Sequence, residues 1–229
     1  MAAPTPPPAQ PPVPTASPVD RIQRAYATRA ESDYIFNFWT ALGWTILTCS
    51  IYGFYVFYQL VRRSRDHNRR RLELLDAATA AAWERAQAAG RADELRPQFE
   101  TMGVHLGVLR QLTTNFRDPI VWTVLRLIAS TIVDVILFIL LDGDLVKHDA
   151  AERAAEAELA AIYGALGADL AIPPGAPKGA HNYIARIIVT IVTLGIYFLF
   201  WTYNVMDDGN RHFEENWAWE DSLRHALGG

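Results

Sequence analysis

Thr193-Leu-Gly-Ile-Tyr-Phe-Leu-Phe-Trp-Thr-Tyr203 repeats, 145 positions downstream, the pattern of Thr48-Cys-Ser-Ile-Tyr-Gly-Phe-Tyr-Val-Phe-Tyr58. Without a gap the match extends back to Asn37/Asn182, Thr45/Thr190 and Ile46/Ile191, and forward to His67/His212 and Asp76/Asp221. Self-similarity at a constant offset marks a duplicated unit. Both stretches lie in apolar runs of membrane length, so the unit reads as a membrane span plus the helix that follows it. An offset of 81 gives a weaker third copy, pairing Asn37 with Asp118, Ile51 with Ile132, Phe57 with Phe138, Leu60 with Leu141 and His67 with His148. The Thr and Tyr signature is absent from that copy.

Three apolar blocks, 34–61, 119–141 and 183–206, reach the roughly 20 residues that a spanning helix needs. The mean hydropathy of +0.04 averages these blocks with long polar segments. The expected fold is therefore all-α, an integral membrane protein with three transmembrane helices that continue into juxtamembrane helices. Residues 1–33 form a Pro/Ala-rich tail, expected to be disordered, followed by a short helix opened by Ser17-Pro18. The segment 62–118 is predicted as two helices, the first ending at Gly90 and the second starting at Pro97. The second places Phe99, Met102, Leu106, Leu109 and Leu112 on one side. In 142–182 an Ala/Glu-rich helix over 150–166 precedes a Pro/Gly linker, and 207–229 is an acidic, aromatic, amphipathic tail.

Eleven Arg lie between Val61 and Asp118 against three in the N-terminal segment, which by the positive-inside rule puts that loop in the cytoplasm. The expected topology is multi-pass in the bacterial inner membrane, with the N-terminus and 142–182 outside and the C-terminus cytoplasmic. The net charge of -4 implies no nucleic-acid partner. The single cysteine, Cys49, lies in the first block and leaves the redox compartment open. There is no nucleophile elbow, phosphate loop, zinc-protease pair or dinucleotide fingerprint, so no enzyme and no cofactor is expected.

Two charges sit inside the second block, Arg126 and Asp134, where insertion costs about 2.5–3.5 kcal/mol each. Eight positions apart on a straight helix they are too far for a direct pair, so each is expected to find a partner elsewhere. Thr45, Thr190 or a second copy of Arg126 are the candidates. Asp144/His148 and Asp208/His212 share the i, i+4 spacing that places both side chains on one helix face. The expected topology separates these two clusters by the membrane, so helix-surface ion pairs are the expected reading and no metal is expected.

The segment Thr193, Gly195, Ile196, Tyr197, Trp201 and Tyr203 resembles a family of small bacterial integral membrane proteins of unknown function. Their mark is Thr-x-Gly-Ile-Tyr-x-x-x-Trp-x-Tyr, often in duplicate. The first copy keeps Thr48, Ile51, Tyr52 and Tyr58, while Ser50 and Val56 replace the Gly and Trp. The resemblance implies a membrane topology and brings no catalytic residues. The expected function is a non-enzymatic anchor, scaffold or accessory subunit, in contact with membrane lipid and either homo-oligomeric or joined to other membrane-protein subunits. The alternative is a small oligomeric channel or transporter with Asp134 in the pathway.

Overall fold

The computed structural model describes residues 16–172 and 176–228. The expected disorder of the Pro/Ala tail falls on residues 1–15, and Pro173 and Pro174 of the linker on 173–175, both outside the described residues. All regular structure among the described residues is helical: α1 Pro18–Ala27, α2 Arg29–Ser32, α3 Phe38–Leu47, α4 Ile51–Ala88, α5 Arg96–Thr114, α6 Pro119–Ala165, α7 Tyr183–Val192 and α8 Ile196–Leu227.

Local chemistry explains the boundaries. The Ser17 hydroxyl accepts from the Asp20 amide, and Pro18 supplies a ready-made first turn to α1. Gly90, at φ +68°, turns the chain out of α4, as its left-handed conformation allows. Pro97 opens α5, which buries Met102, Leu106 and Leu109. Asn37, Asp118 and Asn182 each cap a helix start with a side-chain oxygen, at α3, α6 and α7.

The expected single helices over 34–61 and 183–206 are each broken. Cys49 and Ser50 have φ of 50° and 73°, and Leu194 and Gly195 have φ of 50° and 90°. Two successive left-handed residues reverse the chain, so α3 folds back on α4 and α7 on α8 as short-armed hairpins. The second block is also interrupted: Ala129 (φ -141°, ψ 55°) kinks α6 ten residues after its start. α6 is the one helix among the described residues that is long and apolar enough, by length and composition, to cross a membrane.

The expected sidedness is corrected as well. Arg21 of the N-terminal segment pairs with Glu73 and Asp76 of the loop placed on the other side, at 2.7 and 2.6 Å. Lys178 of 142–182 likewise reaches Asp208 at 3.1 Å. Groups in ion-pair contact cannot lie on opposite faces of one bilayer.

α4, α6 and α8 form the frame. The core has two apolar halves. One, around Phe57, Leu60, Leu137, Phe138 and Trp201, joins the hairpin ends. The other, around Leu74, Leu75, Met102, Leu159, Tyr163 and Trp219, is completed by Ile22 of α1 and by α5. A buried polar layer separates them.

Candidate functional site

The polar layer begins with one histidine from each long helix: His67 of α4, His148 of α6 and His212 of α8. Their ring centroids lie 5.7, 5.1 and 5.9 Å apart, and none is more than 6% exposed. These are the positions related by the offsets 81 and 145. One helical turn on, at the same offsets, stand Arg71, Glu152 and Asn216, where Glu152 accepts from both of the others. The Arg71 Nε donates to Glu152, its other nitrogens reach Glu156 and Glu220, and the Asn216 amide donates to Glu152 Oε2 at 2.8 Å.

Carboxylates orient two of the rings. His67 Nδ1 lies 2.9 Å from Asp33 Oδ1 and His212 Nδ1 lies 3.1 Å from Asp149 Oδ1. With Nδ1 protonated towards Asp33, His67 turns the Nε2 lone pair inward, while His212 Nε2 faces Glu152 Oε2 at 3.2 Å. Arg70 binds Asp33 from the other side at 2.6 Å and Glu220 at 2.6 Å. Both ring nitrogens of His148 are buried without a hydrogen-bond partner among the described residues.

Burial and charge pull these groups apart in acidity. Burial lowers His148 to about 3 and His67 to about 4, against the pull of Glu152 and Asp33 respectively. For His212 burial also lowers, but the bonds to Asp149 and Glu152 outweigh it and raise the ring to about 9. Burial lifts the Glu156 carboxyl to about 8 despite Arg71 beside it. For Glu152 burial acts upward too, yet Arg71 and the histidines hold it well below the ordinary carboxylate range.

The structure places the other candidates differently. Arg126 and Asp134, expected to be too far apart, bond directly: the kink at Ala129 brings Arg126 Nε to 2.7 Å from Asp134 Oδ1. The guanidinium also lies over Phe54 and Phe57 at 4.7 and 5.2 Å. Thr45 and Thr190 are not their partners, since each donates to a carbonyl of its own helix, Ala41 and Arg186. Asp144 pairs with Arg117. Asp208 joins Asp142, Lys178 and His181 in a second cluster.

The signature residues build the hairpin turns. The Thr48 hydroxyl donates to Trp44 O at 2.7 Å and accepts from the Tyr52 amide at 2.9 Å. Thr193 does the same with Val189 O and the Tyr197 amide, at 2.8 and 3.0 Å. Ser50 and Gly195 occupy equivalent left-handed positions. Ile51 and Ile196 point outward, each 73% exposed, while Trp201 is fully buried. Tyr58 is half-buried, and Tyr203 packs edge-on against Phe38.

Residues 181–222 match the family described as Domain of unknown function (DUF4234). That segment spans α7, its turn and most of α8, and so contains Asn182, Thr193, His212 and Asn216. The chain matches no curated protein and no solved structure.

Reading the sequence alone passes over His67, Glu152 and Asn216. The signal for His67 is present, because it aligns with a histidine at both offsets. The assumed topology hides it by assigning those histidines to opposite sides of a membrane.

Proposed function

We propose that the protein is a membrane-seated anchor or scaffold. Its three apolar heads, the two hairpins and the kinked start of α6, dip into one face of a bilayer. Its helical bundle stands in water on that same side as a platform for partner proteins or further copies of the chain.

One observation carries this reading: no amide in the hairpin turns depends on water. Every amide from Thr48 to Gly53, and every amide from Thr193 to Phe198, has an acceptor within its own hairpin. A turn in water leaves such groups to solvent, whereas in hydrocarbon each unsatisfied group costs several kcal/mol. The residues around the turns are outward-facing and apolar, among them Leu47, Ile51, Ile128, Val192 and Leu194, the last 94% exposed. Arms of ten residues rise about 15 Å, half of a hydrocarbon core about 30 Å thick. A duplicated unit fits this reading, since each copy would supply one head and one length of bundle. Asp134, the residue that the channel alternative puts in its pathway, is bonded to Arg126.

Sidedness tests the proposal. With Cys49→Ser as background, Asp20→Cys, Glu84→Cys, Ala157→Cys and Glu214→Cys each place one thiol at an exposed position. An impermeant maleimide is applied to sealed right-side-out and inverted vesicles. All four positions should react from the same face. Labelling of Asp20→Cys and Ala157→Cys from one face, and of Glu84→Cys and Glu214→Cys from the other, would overturn the proposal in favour of three crossings.

A further inference from the structure

We infer that His67, His148, His212 and Glu152 form a binding site for one divalent transition-metal cation of the zinc class. The inference is independent of how the hairpins sit. Three imidazoles and a carboxylate are a donor set suited to such a cation. All four residues are buried, and their ligand atoms lie within 4.8 Å of one another. Metal–ligand bonds of about 2.0–2.2 Å put tetrahedral ligand atoms about 3.4 Å apart. Here His212 Nε2 and His148 Nε2 already stand 3.2 and 3.6 Å from Glu152 Oε2.

The surroundings are built to match. Asp33 and Asp149 hold His67 and His212 by Nδ1, the carboxylate–histidine arrangement that orients a ligand and strengthens its other nitrogen as a donor. The Asn216 amide marks the point of convergence, 3.4 Å from His67 Nε2, 3.3 Å from His212 Nε2 and 2.8 Å from Glu152 Oε2. It leaves His148 bare on both nitrogens. A buried polar group without a partner is costly, and a cation would satisfy His148 together with the rest. A narrow cleft between α4, α6 and α8, bordered by Arg63, Asp142, Asp144 and Asp208, opens onto His67 and His148 and gives access.

The second acid–histidine cluster, Asp142, His181 and Asp208, differs. There the Lys178 ammonium sits 2.7 Å from Asp142 and 3.1 Å from Asp208, in the place a metal would take.

The test uses full-length protein, stripped with chelator and held in lipid nanodiscs, with helical circular dichroism checked for each variant. Co2+ and Zn2+ alone are the probes. One Co2+ per chain should bind with the intense visible absorption of a tetrahedral site, and Zn2+ should displace it. Asp149→Asn should weaken binding about 10–100-fold, the usual effect of losing a carboxylate behind a ligating histidine. His148→Ala should weaken it further, and His181→Ala should leave it unchanged. If folded wild-type protein binds neither ion, the layer is held by protons alone and the inference fails. It also fails if His148→Ala and Glu152→Gln bind Co2+ as wild type does.

Discussion

At Gly209 a side chain would meet the Arg63 guanidinium, whose Cζ lies 2.9 Å from where a Cβ would stand. Arg63 cannot easily withdraw. Its nitrogens bond the Tyr34, Val205 and Met206 carbonyls and Asn210 Oδ1, at 2.7–3.1 Å. Through Asn210, which also bonds the Phe36 amide and carbonyl, this contact ties the segment leading into α3 to α8. Gly209→Ala should therefore cost about 1–3 kcal/mol, the range for forcing extra atoms into a packed interior. Gly103 lies inside α5 with open space around it. There Gly103→Ala should stabilise by up to about 1 kcal/mol, because alanine is the better helix former. Thermal unfolding of both variants checks the contrast, and equal effects would refute the close approach at Gly209.

At the scale of elements, the hairpin turns depend on one hydroxyl each. Thr48 and Thr193 supply the oxygen that accepts from Tyr52 and Tyr197, amides that no carbonyl reaches. Thr193→Val keeps the shape and removes the acceptor. In a nanodisc it should destabilise the fold by about 1–3 kcal/mol, the penalty for a polar group left bare, and Thr193→Ser should recover most of the loss. A Thr193→Val protein as stable in lipid as wild type would contradict lipid-embedded turns. The same elements show what could be read from the chain. The helices after each apolar block were legible, because Ala, Leu, Glu and Arg runs end at Gly90 and restart at Pro97. The hairpins were not, because an apolar window of membrane length looks the same whether it continues or doubles back. Gly195 is the one clue, a glycine fit for a left-handed position in the middle of such a run. In the first copy Ser50 adopts that conformation without advertising it. The Arg126–Asp134 pair was hidden for the same reason, since its eight-residue spacing closes only across the kink at Ala129.

Across the whole molecule the three long helices are joined by a charged centre rather than by apolar contact alone. Arg71 is fully buried on α4 and bonds Glu152 and Glu156 of α6 and Glu220 of α8. It also lies under the Trp219 ring, 5.1 Å from its centroid. A buried ion network adds little over a well-packed apolar one, but removing a single partner strands the remaining charges in a medium that solvates them poorly. Arg71→Ala leaves three carboxylates around a void, so it should cost about 3–5 kcal/mol, more than either change above. Arg96→Ala removes an exposed partner of Asp93 on the surface and should leave thermal unfolding close to that of wild type. The damage should also be directional. Hydrogen exchange should rise along α6 and α8 near Glu152 and Glu220, while the hairpins, held by their own turns and by the Phe57–Trp201 core, should keep their protection. Uniform loss of protection from hairpins and bundle together would show that the two apolar halves unfold as one unit. The polar layer would then not be the seam between them.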